Sequence, residues 1–485
     1  MKRRDFLIQS TLTALGTMAL HNLPVQSQPM YKQYSSYKSW KSDNSFLKGI
    51  NAPVFQELDI TNLKVSGTIP PEIRGMYVRN GPNPMFKPES YNYPLEGDGM
   101  LHGISFENGK ASYKNRWIQT RGLAYERFEG KELDELKFKN YANTNIMSHG
   151  GKLLALYEIG LPYEITQELE TVGEWNFQGN LEQSMTAHPK IDHTTGELHF
   201  YRYSFFNSPY LHYYIADKQG KIIRNYPIEI AKPVLIHDMA LTENYAIFFD
   251  CPLVFNLEKA KANNTPFTWE PEGGTTIILV DRHHPEKKPI YLKIGAFWLW
   301  HFMNSFEKDN QLTIDFVHYS KMNLETNLEA ISSNKSNLQR MTIDLKSHQI
   351  NQRSIDDHSI EFPVIDSRRM GQPYRFGYTP YIDNNLLAKK QTIGYFPALI
   401  QYDMVNQNHK THQLKPGCYC GEASFIPHPN KTGELDGYVV TFVYNENTNT
   451  SDLLIIDPAN FEQEPIATVH LPVRVPSGFH GNWIS

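Results

Sequence analysis

Cysteine is scarce in this chain: Cys251, Cys418 and Cys420 are the only three among 485 residues. Three thiols build no disulfide framework. Cys418 and Cys420 lie two apart in a strand-like run, so they point the same way without favourable bridge geometry. A thiolate metal site would need partner cysteines that the chain lacks. An excess of positive charge is missing as well. Lys and Arg total 47 against 52 Asp and Glu, a net charge of −5 that provides no basic face for nucleic acid. No apolar run is long enough to read as a membrane-spanning helix. Nucleotide-binding glycine motifs, a serine-centred elbow and the His-Glu-x-x-His zinc pattern are absent, which removes support for a nicotinamide enzyme or a common hydrolase.

What is present is core material. Hydrophobic residues make up 40% and charged residues only 20% of the chain, which excludes general disorder. The N-terminus carries Arg3-Arg4-Asp5-Phe6-Leu7, followed by a mild apolar run from Leu12 to Leu20 with no acidic residue between. That is the shape of a twin-arginine export signal, expected over residues 1–28, which would place the protein in the periplasm or its equivalent. A basic unstructured start is the alternative, with a cytoplasmic protein as its consequence. Residues 29–44 belong to a Pro-, Ser- and Tyr-containing stretch that reads as a linker.

From residue 45 to 485 the chain consists of short alternating apolar runs separated by turns. Runs at 75–79, 152–157, 197–203, 245–249, 275–280 and 438–444 have the period of strands, and Asn108-Gly109 and Asp436-Gly437 have the chemistry of turns. The best helical stretch is 256–262. A body of about 440 residues built this way suits a single β-propeller better than a sandwich. No propeller repeat motif accompanies the period.

Most of the nineteen histidines need no special role. His193 sits in a turn, His283 and His284 precede a proline, and His409 and His412 fall in a polar stretch. Four differ: His188, His237, His301 and His480 are each embedded among apolar or small residues at what reads as a strand end or tight turn. Singly, each fits an ordinary core histidine. Their spacing matches no local metal motif, yet a radial fold brings blade ends to one axis, and imidazole suits iron.

A set of ordered segments resembles the carotenoid cleavage oxygenase family. It begins with Arg74-Gly75-Met76-Tyr77-Val78-Arg79-Asn80-Gly81-Pro82-Asn83-Pro84 and Glu96-Gly97-Asp98-Gly99-Met100-Leu101-His102. Asn143-Thr144-Asn145 follows, running into Leu153-Leu154-Ala155-Leu156-Tyr157-Glu158. Then come Ala187-His188-Pro189-Lys190, His237-Asp238, His301-Phe302-Met303-Asn304, Gly421-Glu422 and Gly478-Phe479-His480-Gly481. The resemblance implies a seven-bladed all-β propeller with ferrous iron on its axis and a cap of loops and helices forming a substrate tunnel.

By that resemblance the iron ligands are His188, His237, His301 and His480. Glu158, Glu361 and Glu422 accept the outer ring N–H groups and offset the metal's charge. Glu361 departs from the family wording, lying in Ile360-Glu361-Phe362-Pro363. Thr144 takes the place of a side chain that lines the open positions of the iron. Without the family, Glu158 and Glu422 also fit a solvent-facing alternation, and Thr144 a turn cap. Gly97, Gly99, Gly478 and Gly481 read as turn glycines.

The implied reaction is dioxygen-dependent cleavage of a conjugated carbon–carbon double bond in a carotenoid or apocarotenoid. Stilbene-cleaving relatives place a lysine directly before the first of these glutamates; here that residue is Tyr157, which disfavours a phenolate substrate. A non-catalytic binding propeller is the third reading, and four intact histidine positions speak against it. A lipid-soluble polyene also implies contact with a membrane surface. Leu253, Val254 and Phe255, beside Lys259 and Lys261, are expected to dock there, unless they pack inward beneath a loop.

Overall fold

The computed structural model describes residues 39–89, 91, 96–131, 139–261, 265–324 and 334–485. The export signal and most of the linker lie outside the described residues. At the start of the described chain, Trp40 donates to the Met85 carbonyl and packs edge-on against Phe55.

Seven antiparallel sheets succeed one another around an axis. Five have four strands each, and these begin at their inner edges with Asn145–His149, Lys190–Ile191, Ala240–Leu241, Phe302–Lys308 and Val364–Ile365. The remaining two close the ring. The last strand, Gly481–Ile484, pairs with Gly75–Pro82 to complete one sheet, and the early strand Lys64–Gly67 pairs with Ala467–His470 to complete the other. Strands from early and late in the described chain therefore latch the propeller. A separate hairpin, Leu253–Phe255 with Phe267–Trp269, projects from the third four-stranded sheet.

Strands form where the alternation predicts them, within a few residues: Lys152–Leu156, Leu198–Tyr203, Tyr245–Asp250, Thr275–Asp281 and Gly437–Asn445. Cys418–Cys420 is a short strand, and all three cysteines are free. His412, read as lying in a polar stretch, is buried and faces the Phe461 carbonyl. The described residues contain three α-helices: α1 (Arg121–Glu129), α2 (Leu257–Lys261) and α3 (Asn384–Lys390). The sequence pattern marks only α2. No described helix is long and apolar enough to cross a membrane.

The largest core cluster fills the space between the sheets from Tyr201 to Met404, with Phe248, Ile277, Phe316 and Met341 fully buried. Leu253 belongs to this core at 2% exposure, so it is not part of any surface patch. The hairpin's pairing with Trp269 turns Leu253 inward, while Val254 and Phe255 stay half-buried.

Candidate metal centre

The inner strand of each blade starts near the axis, and the residues just before those strands meet there. His188 precedes Lys190–Ile191, His237 precedes Ala240–Leu241, His301 precedes Phe302–Lys308, and His480 precedes Gly481–Ile484. Thr144, Glu361 and Glu422 hold the same place before Asn145–His149, Val364–Ile365 and Ser424–Pro427. Each of the seven blades thus delivers one residue to the axis. Glu158 alone arrives differently, from the end of the second strand of its blade.

The four imidazoles form one cluster whose ligand atoms all lie within 4.8 Å of one another. Ring centroids are 4.2 Å apart for His188 and His237, 4.6 Å for His188 and His480, and 4.9 Å for His301 and His480. His188 Nε2 and His480 Nε2 face each other at 2.9 Å. His301 Nε2 is buried and has no hydrogen-bond partner. Ring nitrogens gathered this way, one of them orphaned, are what a cation at their centre would satisfy.

The outer nitrogens are fixed by carboxylates. His237 Nδ1 lies 3.0 Å from Glu158 Oε2, His301 Nδ1 2.5 Å from Glu361 Oε2, and His480 Nδ1 2.8 Å from Glu422 Oε1. With Nδ1–H donating outward, Nε2 is left with its lone pair aimed inward. The carboxylates are anchored in turn. The Tyr203 hydroxyl donates to Glu158, the Tyr319 hydroxyl and the Phe362 N–H to Glu361, and the Gly481 N–H to Glu422. Among the described residues none offers His188 a carboxylate, and its Nδ1 is buried without a partner.

Electrostatics follow from this pairing. Burial and the three neighbouring rings hold His188 well below the ordinary imidazole range. His237 is also buried, which works against its charged form, but the Glu158 charge and hydrogen bond outweigh this and raise it. Burial lowers His301 despite Glu361. Glu361 ends lowered, because the His301 ring and the two donated hydrogen bonds overcome the cost of burying it. The departure from family wording at this residue therefore leaves its contact intact.

Two backbone outliers lie beside the site. Ala142 and Phe362 have φ of 49° and 51°, a region unusual for a residue with a side chain and more so for one preceding a proline. Of the four site glycines, only Gly97 has positive φ, at 113°. Gly99, Gly478 and Gly481 instead allow close approach: a Cβ on Gly99 would meet the Ala142 oxygen at 2.5 Å.

A cavity of about 190 Å³ opens onto the cluster. Thr144, His237, His301 and His480 line it together with Phe46, Trp300, Phe362, Phe396 and Phe479, and with Asn384 and Leu387 of α3. Thr144 is buried, and its hydroxyl donates to Asn143 Oδ1 at 3.0 Å. Residues with no role assigned from sequence also shape the site. Trp300 stands edge-on to His237 at 4.7 Å, and Asp238 accepts from the Phe302 N–H, tying the His237 segment to the His301 strand. Asp238 adjoins a histidine of the cluster in the motif His237-Asp238, a signal that could have found it.

The family model described as retinal pigment epithelial membrane protein matches residues 51–485. The chain belongs to this family, that of the carotenoid oxygenases. A carotenoid cleavage oxygenase of Mycobacterium tuberculosis is 31% identical, covering 91% of this chain and 98% of its own. An isoeugenol monooxygenase of Pseudomonas nitroreducens is 33% identical over 90% of this chain and 97% of its own. Among solved structures, lignostilbene dioxygenase of Pseudomonas brassicacearum superposes with a TM-score of 0.85 at 27% identity, covering 91% of this chain and 98% of its own. A Synechocystis apocarotenoid oxygenase mutant does so at 0.81 and 26%, covering 93% and 100%. The family and the seven-bladed fold expected from the sequence are those observed.

Proposed function

We propose that this protein is a ferrous-iron dioxygenase that cleaves a conjugated double bond of a carotenoid or apocarotenoid. The observation that carries the reading is the four-imidazole cluster, braced by three buried or half-buried carboxylates and opening onto an aromatic cavity. His188, His237, His301 and His480 would hold the iron, and imidazole donors suit it. Bound there, the metal would supply the activation of dioxygen. The chain itself contributes geometry. Glu158, Glu361 and Glu422 hold three rings in one tautomer, while Phe362, Phe396 and Phe479 keep water from the reacting alkene. Thr144, with its hydroxyl engaged by Asn143, borders the open side of the cluster.

A second reading, cleavage of an alkenyl phenol, is supported by the likeness to isoeugenol monooxygenase and lignostilbene dioxygenase and by the modest cavity. Against it stands Tyr157, where stilbene-cleaving relatives carry a lysine. A tyrosine carries no positive charge in either protonation state, so Tyr157 offers no cation to a phenolate. Iron-loaded enzyme incubated with carotenoids, apocarotenals, stilbenes and isoeugenol, with products identified by mass, tests both. Aldehydes from the polyenes support the first reading. Products from the phenols alone overturn it.

Docking on a membrane surface, from which a lipid-soluble substrate would be drawn, belongs to the same proposal, as does export by the N-terminal signal. The docking surface is assigned to Phe255 and Val254 with neighbouring Phe206, which is 53% exposed.

A further inference from the structure

A second set of metal-type donors lies away from the axis. Asp356 and His358 sit in the segment after the strand Ile350–Ser354, and His409 lies on Asn408–Gln413, the outer strand of the next blade. The ligand atoms of all three are within 4.8 Å of one another. Asp356 Oδ1 is 2.7 Å from His358 Nδ1, and Asp356 Oδ2 is 3.2 Å from His409 Nδ1. The two rings stand 4.9 Å apart at 77°. Asp356 Oδ2 is shielded from solvent and makes no hydrogen bond of acceptable geometry, although the buried Tyr402 hydroxyl also stands against this carboxylate. Two imidazoles thus converge on one carboxylate from two blades: the His409 contact is close to the edge of about 3.3 Å that tetrahedral ligands at zinc-like bond lengths would show, while the His358 contact has the length of a hydrogen bond and would have to open to admit an ion.

We propose that Asp356, His358 and His409 form a second site, for a divalent cation of the zinc type, that staples two neighbouring blades. Two neutral imidazoles and one carboxylate leave such an ion a net positive charge and at least one open position. A cavity of about 1040 Å³ beside the cluster, lined by polar residues such as Asn337, Gln339 and Gln407, gives access and room for water. Lys335 also borders that cavity, at the cost of some repulsion. Both histidines are partly exposed, so an ion can enter without unfolding. The same segment runs on to Glu361 five residues after Asp356. It is held on the way by the Ile382 N–H donating to the Ser359 carbonyl at 2.7 Å. An ion at this site would pin the backbone that presents Glu361 to His301.

The test uses the full-length, iron-loaded protein dialysed to equilibrium against micromolar zinc, with zinc and iron measured together. Wild type is expected to hold one zinc more than His409→Ala or Asp356→Asn, with the same iron content in all three. Its thermal midpoint should rise with zinc, while those of the variants should not. His409 is exposed on an outer strand, so its variant keeps the test interpretable if Asp356→Asn fails to fold. Equal zinc in wild type and His409→Ala, no zinc in either, or zinc gained only as iron is lost would each overturn the proposal. In that case the cluster is a hydrogen-bonded Asp–His pair with a neighbouring ring.

Discussion

At the scale of single residues, the site depends on carboxylates that do two things at once. Glu422 accepts from His480 Nδ1 with one oxygen and from the Gly481 N–H with the other. Glutamine offers only one accepting oxygen, so Glu422→Gln must release the ring or its own anchor and present an amide N–H to a donor. Glu158 faces the same choice between His237 and Tyr203. Glu158→Gln and Glu422→Gln are therefore expected to fold normally and to weaken iron affinity or turnover about 10–100-fold. Chelator competition and initial rates measure this; unchanged values in both would mean that the carboxylates do not tune the site. The histidines themselves should be less forgiving. His188→Ala, His237→Ala, His301→Ala and His480→Ala should each lose bound iron, whereas His193→Ala should keep it. Metal analysis of the purified variants decides, and full iron content with normal turnover would remove a residue from the ligand set.

Among elements, the paired strands Leu198–Tyr203 and Leu211–Ala216 bury a histidine that must stay neutral. Arg282 Nη2 donates to His199 Nε2 at 2.9 Å, so the ring proton sits on Nδ1 and points to the Tyr213 oxygen at 2.6 Å. Burial, with the Arg282 charge beside it, pushes His199 down to about 4. In the unfolded chain it would titrate near 6.5. Between those values the unfolded state binds the extra proton, so this contribution is complete above pH 6.5 and is lost as pH falls toward 4. His199→Gln should flatten the pH dependence of stability in that window by up to about 1.4 kcal/mol per pH unit. Denaturant midpoints at pH 6.5, 5.5 and 4.5 check this, and parallel curves would contradict it. Elements also differ in how plainly the sequence announces them. Strands such as Tyr245–Asp250 alternate visibly and lie where that alternation puts them. The α1 helix does not show as a periodic pattern, because only Leu123 and Glu126 of its residues are buried. Its end signals were nonetheless present: Thr120 accepts from the Leu123 N–H, and Gly130 takes the left-handed conformation. In α3 no residue is buried, so periodicity had nothing to report.

For the whole molecule, the ring explains why the site was legible only through resemblance. Each blade sends one residue to the axis, with Glu158 added from the blade of Thr144, so the four histidines are separated by whole blades, and the long gap between His301 and His480 is filled by the blades that bring Glu361 and Glu422. No local spacing rule sees such a set. The proposed docking surface is likewise a property of the assembled body. Phe206 lies beyond the Leu198–Tyr203 strand and Phe255 on the hairpin, yet their rings meet edge-on at 5.5 Å, and Phe205 stacks on Phe255 at 4.6 Å. The aromatic patch is thus assembled from two blades, with the lysines of α2 following Phe255 in sequence. Leu253, by contrast, faces the core and must be left alone in any test. An exposed Phe inserted among lipid chains is worth about 1.5–3 kcal/mol, which is a tenfold or larger change in partitioning. Phe206→Ser should therefore weaken binding to liposomes by about tenfold or more while leaving cleavage of detergent-solubilised substrate intact. Adding Phe255→Ser should weaken binding further, at some cost in stability from the lost stack. Co-sedimentation with liposomes reads the first effect, and turnover in detergent verifies the fold. If the folded Phe206→Ser protein sediments like wild type, substrate enters by a route that does not use this face.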